Sequence, residues 1–200
     1  TMKLLIAFIS GFLLLQCSSC KEISQWKGPD RDGIYPEKGL LKKWPEGGPE
    51  LMLKIEGIGK GLSQPVVYND VIYVTGLKSD SMDVISAYDM EGDLLWDRTY
   101  SPAWTRTYPE SRGTPTIENN RIYLIGGLGD LVCLDAEDGS VVWKQKPHEE
   151  FNGKYMYFGI VEAVLLTQDA ALYITGGEET TVVAFDQKTG EVQNHTLRLP

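Results

Sequence analysis

The sequence predicts an all-β protein of repeated four-stranded antiparallel units, and three observations predict it. The residues Asp89-Met90-Glu91-Gly92-Asp93-Leu94-Leu95-Trp96 return as Asp135-Ala136-Glu137-Asp138-Gly139-Ser140-Val141-Val142-Trp143, and in part as Asp186-Gln187-Lys188-Thr189-Gly190-Glu191-Val192-Gln193-Asn194. Upstream, Ile72-Tyr73-Val74, Ile122-Tyr123-Leu124 and Leu172-Tyr173-Ile174 recur at 50-residue spacing, as do Gly76, Gly126 and Gly176. Short alternating runs separated by Asn, Asp and Gly turns fill each unit, with no convincing helical stretch. A four-stranded unit of about 40–50 residues buries its faces only against its neighbours. The architecture is therefore a β-propeller, with about three blades present and the ring incomplete.

Each element follows from local chemistry. Residues 21–50 hold Pro29, Pro36, Pro45 and several glycines, and read as an extended lead-in without strand or helix. Trp26 and Trp44 are its candidate anchors. Leu51-Met52-Leu53-Lys54-Ile55 alternates and reads as an outer strand supplied from the N-terminal side. In the first blade (about 51–100) Pro65 to Tyr68 and Val71 to Gly76 flank Asn69-Asp70, residues that tolerate the left-handed dihedrals of a two-residue hairpin. Val84 to Tyr88 is its third strand, and Leu94-Leu95-Trp96 opens its fourth. The second blade (about 101–147) repeats this with Thr116-Ile117, turn Asn119-Asn120, Ile122 to Ile125, Leu131 to Leu134 and Val141 to Trp143. The third (about 148–200) gives Val164 to Leu166, Leu172 to Thr175, Val182 to Phe185 and a poorly matching last strand. There Asn194 stands where Trp is due, and the repeats are expected to continue beyond Pro200.

The first twenty residues read as a leader. Lys3 precedes an apolar run from Leu4 to Leu15, too short to span a bilayer permanently. Cys17 and Cys20 follow it. Ser18 and Ser19 before Cys20 suit lipoprotein processing, so Cys20 is the expected lipidated residue and Cys17 the second choice; an ordinary cleaved signal is the alternative. Cys133 shares its slot with Ala87 and Ala184 and reads as a small buried hydrophobe.

Composition excludes several classes. The net charge is −9, with no Lys/Arg stripe, which argues against nucleic acid. His148 and His195 are isolated, so no metal site is expected. No phosphate loop, Gly-x-Ser-x-Gly or His-Glu-x-x-His is present.

The pattern Ala-x-Asp-x-x-x-Gly-x-x-x-Trp resembles the repeat of the pyrroloquinoline-quinone (PQQ)-like β-propeller superfamily. It stands here as Ala87-Tyr88-Asp89…Gly92…Trp96, Cys133-Leu134-Asp135…Gly139…Trp143 and Ala184-Phe185-Asp186…Gly190. The opening Trp26-Lys27-Gly28-Pro29-Asp30-Arg31-Asp32-Gly33 resembles the lead-in of envelope proteins of that superfamily. The resemblance implies two functional classes. One is quinoprotein alcohol dehydrogenases holding PQQ and Ca²⁺ on the axis, with an adjacent-cysteine disulfide that this chain lacks. The other is non-enzymatic envelope lipoproteins of Gram-negative bacteria, including one of the outer-membrane β-barrel assembly machinery. The second class is the expectation: a lipid-anchored outer-membrane scaffold without cofactor, contacting envelope proteins or a small ligand at one rim. PQQ and Ca²⁺ belong to the alternative.

Asp89, Asp135 and Asp186 precede turns and read as turn-fixing acceptors, not catalytic groups. Positions that differ between blades are better functional candidates. Leu62, Arg112 and Glu162 share one such position at 50-residue spacing, at a channel mouth. Arg112 and Glu162 either pair with each other or face a ligand. The loop Pro102-Ala103-Trp104-Thr105-Arg106-Thr107-Tyr108-Pro109 and its counterpart Lys154-Tyr155-Met156-Tyr157-Phe158 carry the aromatic and cationic side chains that dominate interaction surfaces. Trp104, Arg106, Tyr108, Arg112, Tyr157 and Glu162 are therefore the expected contact residues.

Overall fold

The computed structural model describes residues 23–35, 37–79 and 81–197, with backbone alone for 195–197. The expected leader, Cys17 and Cys20 lie outside the described residues.

Three antiparallel sheets follow one another along the chain. The first comprises β2 (Val66–Tyr68), β3 (Val71–Lys78), β4 (Met82–Tyr88) and β5 (Leu94–Pro102). The second comprises β6 (Thr116–Glu118), β7 (Arg121–Ile125), β8 (Leu131–Asp135) and β9 (Val141–Gln145). The third comprises β10 (Leu165–Leu166), β11 (Ala170–Ile174), β12 (Thr180–Asp186) and β13 (Val192–Leu197). Each runs in simple sequence order, as hairpin-connected strands of a blade must. The turns behave as their residues dictate. Asn69 and Asp70 adopt φ of 49° and 58°, Asn119 and Asn120 of 50° and 60°. The Asp89 carboxylate accepts the N–H groups of Glu91 and Asp93, that of Asp135 the N–H of Glu137, and that of Asp186 those of Lys188 and Thr189.

Blades pack face to face through two apolar layers. Tyr73, Ile85 and Ala87 of the first blade meet Ile122, Leu124, Val132 and Leu134 of the second. Tyr123, Cys133 and Trp143 of the second meet Ala171, Tyr173, Val183 and Phe185 of the third. Each blade presents a row of opposed residues to the next: Tyr73, Ala87 and Trp96 in one, Tyr123, Cys133 and Trp143 in the other. The tyrosines reach across to equivalent carbonyls, Tyr73 to Ala136 (3.0 Å) and Tyr123 to Gln187 (3.3 Å). Each tryptophan lies under the turn glycine of the following blade. A Cβ at Gly139 would lie 2.7 Å from the Trp96 ring, and one at Gly190 2.6 Å from the Trp143 ring. Cys133 fills its slot with no exposure, and burial pushes its thiol up to about 12.

Four expectations are corrected. First, Leu51 to Ile55 forms no strand; Leu53 instead packs under Gly92, whose Cβ would lie 2.8 Å from it, in the place that Trp96 and Trp143 take for later blades. Second, the lead-in does contain a strand, β1 (Ile23–Ser24), which pairs with Glu118 and Ile117 on the inner edge of the second blade. Third, Trp44 is 65 % exposed and anchors nothing. Fourth, a short helix, α1 (Pro147–Glu150), opens the second inter-blade loop.

The 50-residue register also slips by one in the third blade. The row equivalent to Tyr123, Cys133 and Trp143 is Leu172, Ala184 and Asn194, so Tyr173 points back at the second blade. Thr116, paired with Tyr123, corresponds to Leu165, paired with Leu172. Gly76 and Gly126 sit where a Cβ would strike Ile58 and Ser101, whereas Gly176 faces open space. Position 112 thus corresponds to Val161, not Glu162. The forward face of the third blade carries exposed Leu165 and Ile174 and half-buried Leu172 and Val182, and no other described blade covers it.

Candidate functional site

The inner strands β2, β6 and β10 converge on the lead-in. Ser24 Oγ donates to Val67 O at 2.7 Å, β1 pairs with β6, and the Arg31 guanidinium donates to Val164 O beside β10. Thr116 Oγ1 donates to the same Val164 carbonyl at 2.8 Å. Arg31 is oriented by Gln25, whose amide oxygen accepts from Nε at 2.7 Å. The lead-in therefore ties all three blades at their inner edges.

Beside this hub lies a cavity of about 1060 Å³. It is lined by Trp26, Arg31, Leu62, Tyr108, Glu110, Arg112, Phe158 and Glu162, and by Leu165, Leu172, Ile174 and Val182 on the forward face of the third blade, which no other described blade covers. Of the expected contact residues, Tyr108, Arg112 and Glu162 meet here, together with Leu62. Trp104, Arg106 and Tyr157 are not part of the lining.

Arg112 is 6 % exposed. Its Nη2 donates to Thr107 O at 2.9 Å and to Tyr108 O, while the buried Nη1 has no partner. No ion pair joins Arg112 to Glu162; burial alone pushes the Glu162 carboxyl above its usual range. Asp83 lies close enough to feel the Arg112 charge, but its Oδ2 accepts from Gly127 N–H at 3.0 Å and its Oδ1 is unpartnered.

The two inter-blade loops close on one another above the cavity. Trp104 is 3 % exposed, so the indole is a packing residue and not a rim contact. Its Nε1–H donates to Thr107 Oγ1 at 2.9 Å, and Thr107 Oγ1 donates to Tyr157 O at 2.5 Å. The Arg106 guanidinium lies 5.0 Å from the Trp104 ring and 5.7 Å from that of Tyr155. Tyr155 in turn stacks on His148 at 4.0 Å. Tyr108 and Phe158 face each other at 6.0 Å, and Phe158 meets Tyr157 edge-on at 5.0 Å. This leaves Tyr108, Tyr157 and Phe158 exposed by 63, 67 and 52 % on one rim, and Arg106, in the same loop as Tyr108, is exposed as well. Phe158 and Trp26 were legible as aromatics in loops, but their place on the cavity wall depends on long-range contacts.

Residues 80–198 match the repeat family described as outer membrane protein assembly factor BamB. The chain belongs to this BamB family. No curated protein matches it. Among solved structures, quinohemoprotein alcohol dehydrogenase from Comamonas testosteroni aligns with TM-score 0.54 and 24 % identity, over 72 % of this chain and 22 % of that one. A europium-containing methanol dehydrogenase aligns with TM-score 0.52 and 19 % identity, over 70 % and 25 %. BamB from Moraxella catarrhalis aligns with TM-score 0.42 and 20 % identity, over 64 % and 33 %. The chain thus spans about a quarter or less of the two dehydrogenases and shares their fold.

The resemblance to the dehydrogenase class implied PQQ and Ca²⁺, and this chain spans a quarter or less of two such proteins. Ca²⁺ takes six to eight oxygen ligands, yet among the described residues no three His, Cys, Asp or Glu side chains converge. The cavity offers Glu110 and Glu162 against a mainly apolar wall.

Proposed function

We propose that the protein is a non-enzymatic binding and assembly scaffold of a Gram-negative envelope, tethered to the outer membrane by lipid on Cys20, or on Cys17 as the second choice. The observation that carries this reading is the rim where the two inter-blade loops meet. Tyr108, Tyr157 and Phe158 pack on one another and still expose most of their surface, and Arg106, exposed in the same loop as Tyr108, stands over the Trp104 and Tyr155 rings. Rigid aromatics with a neighbouring Arg are the side chains that carry protein–protein affinity, and an exposed apolar patch marks an interaction site. Membership of a family described as an assembly factor supports the same reading.

The test is complementation. Deletion of the gene lowers the density of β-barrel proteins in the outer membrane, and the native gene restores it. A Tyr157→Ala/Phe158→Ala double variant, folded by circular dichroism, fails to restore it. Metabolic palmitate labels the protein and is lost in Cys20→Ala. Full complementation by the double variant overturns the rim as the contact surface, and unchanged β-barrel density on deletion overturns the assembly role.

A further inference from the structure

We infer that Arg112 is the positioning residue of the rim: it holds Tyr108 in a left-handed backbone conformation and so fixes the two inter-blade loops as one surface. The functional consequence rests on the rim reading above; the positioning itself does not.

Among the described residues, 104–110 make no backbone–backbone hydrogen bond, so side chains hold this loop. Arg112 supplies two of the bonds from a single nitrogen. Its Nη2 donates to Thr107 O at 2.9 Å and to Tyr108 O. These carbonyls flank the two soft torsions of Tyr108, so a donor that captures both fixes that residue's conformation. The base from which Arg112 reaches is itself pinned. Ser111 N–H donates to Lys60 O at 3.1 Å, and Ser111 O accepts from Leu62 N–H at 2.8 Å.

The conformation held is a costly one. Tyr108 has φ of 45° and is the one aromatic among the described non-glycine residues on the left-handed side. A bulky residue there is strained, and it stays only where its surroundings over-determine it. Blade packing does not call for the arginine. The equivalent positions of the first and third blades are Leu62 and Val161, both more than half exposed, whereas Arg112 is buried. The guanidinium therefore serves the loop. Its effect reaches the second loop as well, because Thr107 Oγ1 donates to Tyr157 O at 2.5 Å and Tyr108 faces Phe158 at 6.0 Å. Holding residues 107 and 108 thus sets where the three rim aromatics stand. A surface ordered before contact loses less freedom on binding.

The test is a double-mutant cycle on the native gene product. Tyr108→Gly and Tyr108→Ala are each made beside Arg112 and beside Arg112→Met, and their urea midpoints are compared. In ordinary backbone Ala is at least as favourable as Gly, whereas a left-handed position favours Gly. Beside Arg112, Gly exceeds Ala by about fivefold or more in the folded-to-unfolded ratio. Beside Arg112→Met the loop is free to relax and that advantage vanishes. In Arg112→Met alone, nuclear Overhauser contacts between the Tyr108 and Phe158 rings are lost, while those between Tyr123 and Trp143 in the blade core remain. The same variant fails to restore β-barrel density, as Tyr157→Ala/Phe158→Ala does. Ala equal to Gly beside Arg112, a Gly advantage that persists beside Arg112→Met, or surviving Tyr108–Phe158 contacts overturns the inference. The Gly-against-Ala comparison beside native Arg112 stands even where Arg112→Met does not fold. Full complementation by Tyr157→Ala/Phe158→Ala sinks the rim reading on its own, since the cycle and the ring contacts are measured on purified protein.

Discussion

Trp143 is the side chain whose removal best tests how the blades hold together. It is 7 % exposed, faces Tyr123 at 6.0 Å, and donates from Nε1 to Gln187 O at 2.9 Å. Replacing a buried Trp by Ala costs about 3–5 kcal/mol in a core that does not collapse to fill the space. Collapse is hindered here because the space is roofed by Gly190, which has no side chain to fall inward. A net hydrogen bond of about 1 kcal/mol to Gln187 is lost as well, and it sets the lower limit for the milder Trp143→Phe. The loss falls on the joint between the second and third blades, so the third blade should open before the rest. Native-state hydrogen exchange reads this directly. In Trp143→Ala, amides of β11 and β12 should lose about two to four powers of ten in protection, while those of β3 and β4 change little. A loss below tenfold in β11 and β12, or an equal loss in β3 and β4, would show that the tryptophan is not a local lock.

Three further outcomes are expected. Gly92→Ala should cost less than Gly139→Ala, because both hold positive φ (91° and 70°) but the first meets the flexible tip of Leu53 and the second a Trp96 ring; urea midpoints decide the order. Cys133, with its thiol pushed up to about 12 by burial, should resist alkylation at pH 8 until denaturant is added, as peptide mapping would show. His148 is buried with Nε2 unpartnered and its pKa lowered by burial. Its contribution is therefore complete above the unfolded value of about 6.5 and is lost as the pH falls through the folded value. His148→Gln should flatten the pH dependence of the urea midpoint in that acid window; an unchanged slope would contradict the assignment.

Much of the fold was legible because the repeat states it three times. The Asn-Asp and Asn-Asn hairpins, the turn-fixing aspartates and the small residue at 133 each follow from one local rule, and each holds. The third blade misled for a physical reason. Tyr173 matches Tyr123 in spacing and residue type, but strand pairing and burial place Leu172 in that role, and spacing alone carries no information about which face a side chain takes. The site was partly legible. Tyr108, Arg112 and Glu162 do come together at one cavity. Trp104 does not join them, because its loop folds the indole inward under Arg106, a choice made by contacts with Tyr155 and Thr107. The pairing of Ile23 and Ser24 with β6 joins residues nearly a hundred positions apart, and no local pattern announces it.

The placement of each indole under the glycine of the next blade gives the stack a direction in time. Trp96 is synthesised before the Gly139 that covers it, and Trp143 before Gly190. The second and third blades each pack on residues older than themselves, and the third presents Leu172, Ala184 and Asn194 in place of the Tyr, small residue and Trp that received it. Leu53 begins that succession at Gly92 with a side chain that belongs to no described blade. A lesion at one tryptophan should therefore strand the residues synthesised after it, while those before it go on to fold.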